Sequence, residues 1–263
     1  MNFGAGAIYL CVMRHVWREC NFEPADIKNI SMKIGETNSL RKTARLAGLF
    51  WILSSAAIFF NLQIVRSKLF FPNDAASIAD NIIADESLYR AGIAVYLFAQ
   101  LFLLCFGVTI FRLFKGVNKT WSSFFLSSIL LTVALAFVNA FFKIGALIIL
   151  KKPDYLGIFH AEQLTAMMMF SFRLSDAGQL FLEIFWGLYL FALGLLFLRS
   201  GYIPKILGLL LIIQSIIYPF NTFTKLVIPQ FYPAIISQLT VIFGAIGAPA
   251  MFWLLIKGAK KTY

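Results

Sequence analysis

Glu183 is the residue of this sequence best placed to do chemistry, because it is an acid within a long apolar segment. A carboxylate can act as a general acid or base, carry a proton or hold a cation. In hydrocarbon it has to be paired, hydrogen-bonded or neutral. The segment that contains it runs from Ser175 to Lys205 and ends on the basic stop Arg199-Ser200-Gly201. The chemistry open to Glu183 therefore depends on what the neighbouring segments place beside it.

Lys143 is the predicted partner of Glu183. The lysine lies seven residues before the end of one apolar segment, and the glutamate lies seven residues after Asp176. Both are then about 10 Å from the same membrane surface, at 1.5 Å per helical residue. Consecutive segments run antiparallel and usually pack together, so we expect a Lys143–Glu183 contact. Asn139 and Gln179 should lie one turn away on the same helix faces.

Three interpretations of this cluster stay open. It can be a polar clasp between the third and fourth spans, or Lys143 can extend to the outer headgroups without a partner. It can also be a polar cavity that binds a small ligand or carries a proton, which requires Glu183 to titrate. An enzymatic alternative would use Glu183 with His160 or Asp176 on a lipid substrate. No third residue completes a catalytic set, so the sequence favours a protein that is not an enzyme.

Asparagines at matching depths form a weaker group of candidates. Asn61 follows Gly48 by thirteen residues, and Asn221 follows Gly208 by thirteen, within segments that look alike. Asn139 lies at a similar depth in a third segment. The pattern is typical of a decayed hairpin repeat, as in some transporters, but chance similarity between apolar helices explains it as well.

Metal and cofactor chemistry find no support in the sequence. The three cysteines are scattered, and the two histidines, His15 and His160, are far apart in the chain. Neither pattern matches a zinc site, and no phosphate-binding glycine loop or hydrolase motif stands in a suitable context. We predict no metal and no cofactor.

The composition is that of a membrane protein. Hydrophobic residues make up 60% of the 263-residue chain and charged residues 13%, about half the share of a soluble domain. The apolar residues form runs of 20 or more, long enough to cross a bilayer as helices. The net charge of +11 comes from lysines and arginines at the ends of these runs, which indicates topology signals and argues against nucleic-acid binding.

We predict an all-α, polytopic membrane protein with six spans. The predicted spans are 44–65, 91–113, 121–150, 177–198, 206–227 and 234–256. Basic residues without acids occupy residues 112–119, 199–205 and 257–261, and the acids lie in the alternate connections. The positive-inside rule then places both termini in the cytoplasm. The expected location is the bacterial inner membrane, with lipids as the surrounding partners.

Three polar stretches flank the spans. Residues 1–40 read as a cytoplasmic tail ahead of a transmembrane domain over 41–263, and a physiological start at Met32 fits equally well. A surface helix is predicted from Asn73-Asp74, with an apolar face. A second short helix is predicted between residues 151 and 174. The two apolar faces comprise Ala75, Ile78, Ile82 and Ile83 in the first helix and Leu164, Met167, Met168 and Phe172 in the second.

Four stretches resemble a known bacterial membrane family, the one catalogued as domain of unknown function 4386. They are RKTARLAGLFWI (41–52), NDAASIADNIIADESLYRAGIA (73–94), FWGLYLFALGLLFLRSGYIPKILGLLL (185–211) and WLLIKG (253–258). The resemblance implies a multispan membrane protein without an assigned activity and supplies no catalytic residues. Members can carry a histidine in the fourth span where this chain has Tyr189, so a role for that histidine does not carry over.

The function expected from the sequence is that of a non-enzymatic integral membrane protein. Ligand binding, sensing and assistance to transport are the roles that fit best. The alternatives are an intramembrane enzyme acting on lipid and a small secondary transporter.

Overall fold

The computed structural model describes residues 24–71, 74–228 and 245–259, and every element in these ranges is helical. The chain divides into two units, Met1–Ser39 and Leu40–Tyr263. The helices are α1 (Pro24–Phe60), α2 (Arg66–Leu69), α3 (Ala75–Ala84), α4 (Glu86–Phe114), α5 (Lys119–Leu150), α6 (Ala161–Ser200), α7 (Lys205–Val227) and α8 (Ala248–Ile256). A π-helical stretch, Asn61–Val65, joins α1 to α2, and two short 3-10 turns cover Asp154–Leu156 and Ala245–Gly247.

Side-chain caps set the starts of several helices. Asp74 accepts a 2.9 Å hydrogen bond from the backbone N–H of Ser77 and so begins α3 where the sequence predicts it. Asp85 does the same for α4 through the N–H of Leu88, at 3.0 Å. Helix α6 ends at Gly201, whose φ of 64° is the left-handed conformation that glycine adopts without strain.

Five helical segments are long and apolar enough to cross a bilayer within the described part of the chain. They are Asn38–Leu69, Glu86–Phe114, Lys119–Leu150, Ala161–Ser200 and Lys205–Val227. Large apolar side chains lie exposed along them, among them Phe141 (67% exposed) and Phe220 (59%). In water such a surface would be a large aggregation liability, whereas lipid solvates it. The protein is therefore a multi-pass membrane protein. Residues 234–244 of the predicted sixth span lie outside the described residues, and the 3-10 turn Ala245–Gly247 and α8 cover the remainder.

The helix that contains the predicted fourth span is much longer than the prediction. Helix α6 runs without a break over 40 residues, about 60 Å, which is twice the thickness of the hydrocarbon core. The prediction of a separate short helix before the span was wrong, because no glycine or proline interrupts the chain between Leu164 and Asp176. Arg173 and Asp176 are polar residues within a continuous helix.

Two apolar cores hold the bundle together. The larger one includes Trp51, Phe106, Phe125 and Phe197 and joins the long helices. The smaller one lies under α3, and two of the four residues predicted for the apolar face of that helix, Ile78 and Ile82, belong to it. Its members include Val65, Ile78, Ile82, Met168 and Phe172. Ile83, predicted on the same face, is 57% exposed, and Met167 in α6 is 36% exposed.

Candidate functional site

Glu183 is held by α7, the helix that follows its own. Its side chain is 8% exposed, and its Oε2 accepts a 2.5 Å hydrogen bond from Nδ2 of Asn221. The hydroxyl of Thr222 also lies 3.3 Å from the same oxygen and 3.0 Å from the carbonyl oxygen of Leu180. Glu183 therefore forms a polar clasp between α6 and α7 through Asn221, and not the predicted clasp between α5 and α6.

A close crossing of α6 and α7 brings these groups together. Pro219 has no backbone N–H, so the carbonyl of Ser215 loses its helical donor. A Cβ placed on Gly187 would lie 2.6 Å from that carbonyl oxygen and 2.7 Å from Cδ of Pro219. Only glycine fits at this distance. The proline and the glycine thus fix the crossing a short distance from Glu183.

Lys143 does not pair with Glu183, so this part of the prediction was wrong. The ion pairs found among the described residues both involve Glu86, with Arg90 at 2.6 Å and Lys151 at 3.0 Å. Nζ of Lys143 lies 5.6 Å from the ring centroid of Tyr96. The prediction failed because it counted depth from Asp176 as the end of a span. Helix α6 continues beyond that residue, and the acid near Lys143 is Asp176 itself, which lines the same cavity.

The two remaining members of the predicted cluster lie elsewhere. Asn139 is 3% exposed and faces Gly178, where an added Cβ would lie 2.7 Å from its Oδ1. That oxygen has no hydrogen-bond partner among the described residues. Gln179 is half-buried on α6. Asn139 therefore marks the crossing of α5 and α6, and the clasp with α7 is separate from it.

A cavity of about 350 Å³ lies at the end of the bundle where α1 ends, α4 begins and α5 ends. We call it the Lys143 cavity. Three cationic side chains line it, those of Arg66, Lys143 and Arg173, with Asp176 as the acid. The rest of the lining is mainly apolar and aromatic, supplied by Leu62, Val65, Phe70, Ile78, Tyr89, Ile93, Met169 and Phe172, with Asn61, Gly92 and Ser175. Its volume falls at the lower end of the range of small-molecule sites.

The π-helical stretch shapes one wall of this cavity. Asn61, Leu62 and Val65 belong both to that stretch and to the lining. The side chain of Asn61 donates to the carbonyl of Ala57 at 3.2 Å, one turn back in the helix. Gly92 in α4 admits the wide turn, since an added Cβ would lie 2.9 Å from Val65. Single π turns inside helices are frequent at functional sites. The π-helical wall is therefore a second reason to treat the cavity as a candidate site.

Tyr89 ties the cavity to α5. Its hydroxyl donates a 2.8 Å hydrogen bond to the carbonyl oxygen of Lys143, and its ring packs edge-on against Phe172 at 6.2 Å. This contact fixes the backbone from which Lys143 extends. Lys143 therefore extends from a helix whose backbone is fixed by Tyr89, and not from a loop.

A second, smaller cavity of about 180 Å³ lies between the long helices. Tyr189, the predicted candidate at the position of the family histidine, is buried and lines it. Ser54, Gln100, Gln214 and Tyr218 supply further polar groups. Tyr189 packs its ring edge-on to Phe125, at 6.2 Å between centroids. Glu183 does not line this cavity.

The catalytic grouping of Glu183 with His160 is geometrically excluded. His160 caps the first turn of α6, and Glu183 lies 23 residues later on the same unbroken helix. At 1.5 Å per residue the two are roughly 34 Å apart. Asp176 lies about 10 Å from Glu183 by the same measure and faces the Lys143 cavity. In the described part of the chain no three acidic, histidine or cysteine side chains could hold a metal ion.

Sequence reasoning missed Arg66, Arg173 and Thr222. A signal for the two arginines was available. They lie at the ends of the spans where the acids are concentrated, whereas most lysines and arginines lie at the opposite ends. Thr222 gave no signal, since a threonine in an apolar helix usually bonds its own backbone.

One of three comparisons with known proteins agrees with the sequence resemblance. No curated protein and no solved structure matches this chain. One family model does match, over residues 46–258. Because this range covers most of the chain, the protein belongs to the family described as Domain of unknown function (DUF4386).

Proposed function

We propose that this protein is a ligand-binding protein of the bacterial inner membrane, with six spans, both termini in the cytoplasm and no enzymatic activity of its own. Its ligand site is the Lys143 cavity. A protein with such a site would act as a sensor of the ligand or as an accessory to its transport. The surrounding partners are membrane lipids, and the excess of positive charge serves orientation and not nucleic-acid binding.

The charge distribution supports the proposed orientation. Arg112, Lys115 and Lys119 lie at one end of the bundle, and Arg199 and Lys205 lie at the next connection on that side. No acid accompanies them there. The Lys143 cavity lies at the opposite end, beside Asp74, Asp85 and the other acids. The positive-inside rule then places the cavity on the outer side of the membrane.

The observation that carries the proposal is the lining of the Lys143 cavity. A half-buried lysine, a π-helical wall and mainly apolar side chains meet around a space that can hold a small molecule. The Glu183–Asn221 contact differs from it, since neither residue lines this cavity. Oε2 of Glu183 accepts hydrogen bonds from Asn221 and Thr222 within the bundle, so Glu183 is a structural residue in this proposal.

Two measurements test the proposal. Reporter fusions that are active on only one side of the membrane, placed after Tyr263 and in the exposed turn at Ile158 (81% exposed), should report opposite sides. Mass spectrometry of the full chain purified in a neutral detergent should detect a bound small molecule. Replacing Leu62 by Trp at the rim of the cavity should displace it, whereas Leu101→Trp on a lipid-facing surface should not. Retention of the molecule in Leu62→Trp would contradict the site.

A further inference from the structure

We infer that the Lys143 cavity takes an anionic amphiphile, a molecule with a carboxylate or phosphate head on a hydrocarbon chain. This inference rests on the proposed function and adds the chemical class of the ligand. The head would lie among Lys143, Arg66 and Arg173, and the chain would lie along the apolar wall.

The charges of the cavity select an anion. Three cations and one acid line it, so its wall carries a net positive charge. Elsewhere at this end of the bundle the cations Arg90 and Lys151 both have an acid in contact, because each forms an ion pair with Glu86. Asp176 can balance one of the three cations at most. A carboxylate in the cavity would balance one of the two that remain and a phosphate monoester up to both, and the two arginines could hold either through paired N–H donors.

The position of Lys143 strengthens this argument. It lies seven residues inside the end of α5, and its ammonium faces the ring of Tyr96. A cation at such depth is costly unless it meets an opposite charge or water. Its chain is anchored by the contact between its carbonyl and Tyr89. The backbone at Lys143 is thus fixed and its side chain lines the cavity, so only that side chain has to be ordered when an anion binds.

The apolar part of the lining explains why the ligand should be an amphiphile and not an inorganic ion. Val65, Ile93, Met169 and Phe172 offer no hydrogen bonds, and a free phosphate would leave them unused. Leu62, which joins this wall, is 53% exposed on the outside of an apolar helical segment long enough to cross a bilayer. A hydrocarbon chain could therefore leave the cavity along Leu62 into the bilayer while its head stays at the basic end.

Free fatty acids and anionic membrane lipids share this chemistry, and one experiment separates them. Equilibrium binding of radiolabelled oleate to the full chain in neutral detergent is compared with that of oleyl alcohol and oleylamine, which match its chain length. Phosphatidylglycerol and phosphatidylcholine are then added as competitors. We expect oleate to bind at least about tenfold more tightly than oleyl alcohol, the gain from one charge-assisted contact. Competition by phosphatidylglycerol alone would identify a lipid as the source, and no competition would identify a free amphiphile.

Charge variants provide the second arm. Lys143→Met and Arg173→Gln should each weaken oleate binding about tenfold or more and leave oleyl alcohol unchanged. Asp176→Asn removes the competing anion and should strengthen oleate binding, an effect that damage to the fold would not produce.

Lys115→Met is the matched control, because Lys115 is an exposed lysine at the other end of the bundle. Arg173 and Asp176 are exposed, so their variants test the inference even where Lys143→Met folds poorly.

Contrary outcomes are distinguishable. Equal binding of oleate and oleyl alcohol, tighter binding of oleylamine, or weaker oleate binding in Asp176→Asn would overturn the anionic class. If any of these three results were found but Leu62→Trp still abolished binding of the probe, the cavity would remain the ligand site and the proposed function would stand. If none of the three probes bound and no co-purified molecule responded to Leu62→Trp, the proposed function itself would fail.

Discussion

Asn221 donates a 2.5 Å hydrogen bond to Glu183 across the boundary between α6 and α7. The bond pairs one oxygen of the buried carboxylate, and it ties together two helices whose crossing is fixed by Gly187 and Pro219. An acid within an apolar segment often marks a functional site in a membrane protein. Here the contacts of the acid are those of a structural clasp, and the cavity with the unbalanced charges lies at the end of the bundle.

A double-mutant cycle on Glu183 and Asn221 should show coupling. Each of Glu183→Leu and Asn221→Leu removes the 2.5 Å contact, so the double variant should lose less stability than the sum of the two. We expect a coupling of about 1 kcal/mol, within the range found for hydrogen bonds between membrane helices. The measurement is the free energy of unfolding in mixed micelles as dodecyl sulfate is increased.

The matched control is the cycle of Glu183→Leu with Lys143→Met. The structure places these two residues at different sites, so their effects should add. A coupling between them as large as that with Asn221 would restore the pairing predicted from the sequence. It would contradict the assignment of the clasp to α6 and α7.

Alanine at Gly194 or Gly208 should destabilise the bundle. A Cβ on Gly194 would lie 2.7 Å from the carbonyl oxygen of Gly208, and a Cβ on Gly208 would lie 2.8 Å from that of Gly194. Two helix backbones touch here, and neither can move without opening the crossing. We expect each substitution to cost about 1–3 kcal/mol, the usual range for overpacking. The same unfolding titration measures it.

Gly145 provides the control for this prediction. It is also a helical glycine, but an added Cβ would meet nothing within 4 Å. Gly145→Ala should therefore leave stability unchanged or raise it by up to about 1 kcal/mol, because alanine is the better helix former. If all three alanine variants lost similar stability, the close crossing would not be the cause.

Most of the described helices could be predicted from the sequence, because the apolar runs and caps that define them are local features. Apolar runs give the spans, and Asp74 gives the start of α3 through its cap. The length of α6 could not be predicted in this way. Polar residues such as Arg173 and Asp176 read as a boundary, yet they are tolerated within a helix when their side chains face a cavity.

The partners of Glu183 could not be predicted because they depend on which faces of the helices meet. Depth along a helix follows from counting residues, but rotation about the helix axis does not. The pairing with Asn221 depends on the crossing fixed by Gly187 and Pro219, a contact between residues 32 positions apart in the sequence. Asn221 was nevertheless among the weaker candidates, selected for its depth.

Loss of Arg45 should loosen the end of α8. Nη2 of Arg45 donates to the carbonyl oxygen of Ile256 at 2.8 Å, and Nε donates to the same oxygen at 3.2 Å. A cation is stabilising at a helix C-terminus, where carbonyl groups lack donors. In Arg45→Met we expect the amides near Trp253 and Lys257 to exchange about tenfold faster, as the loss of a charge-assisted hydrogen bond predicts.

Lys42 gives the comparison for Arg45. It is an exposed cation on the same helix, three residues earlier. Lys42→Met removes the same charge and should leave exchange in α8 unchanged. Faster exchange in both variants would point to a general effect of charge and would argue against the specific contact with Ile256.

The start of α3 should depend on pH through Asp74. The hydrogen bond from the N–H of Ser77 lowers the pKa of this carboxyl below its ordinary value of 3.8. A lowered pKa means that the ionised cap stabilises the helix above that value and that the contribution is lost as the pH falls through the folded pKa. The amide resonance of Ser77 should therefore be constant from pH 7 to about 5 and shift with a midpoint below 3.8. Asp74→Asn retains an acceptor for the cap and should abolish the shift, whereas a midpoint above 3.8 in the unmodified chain would show that the cap does not form.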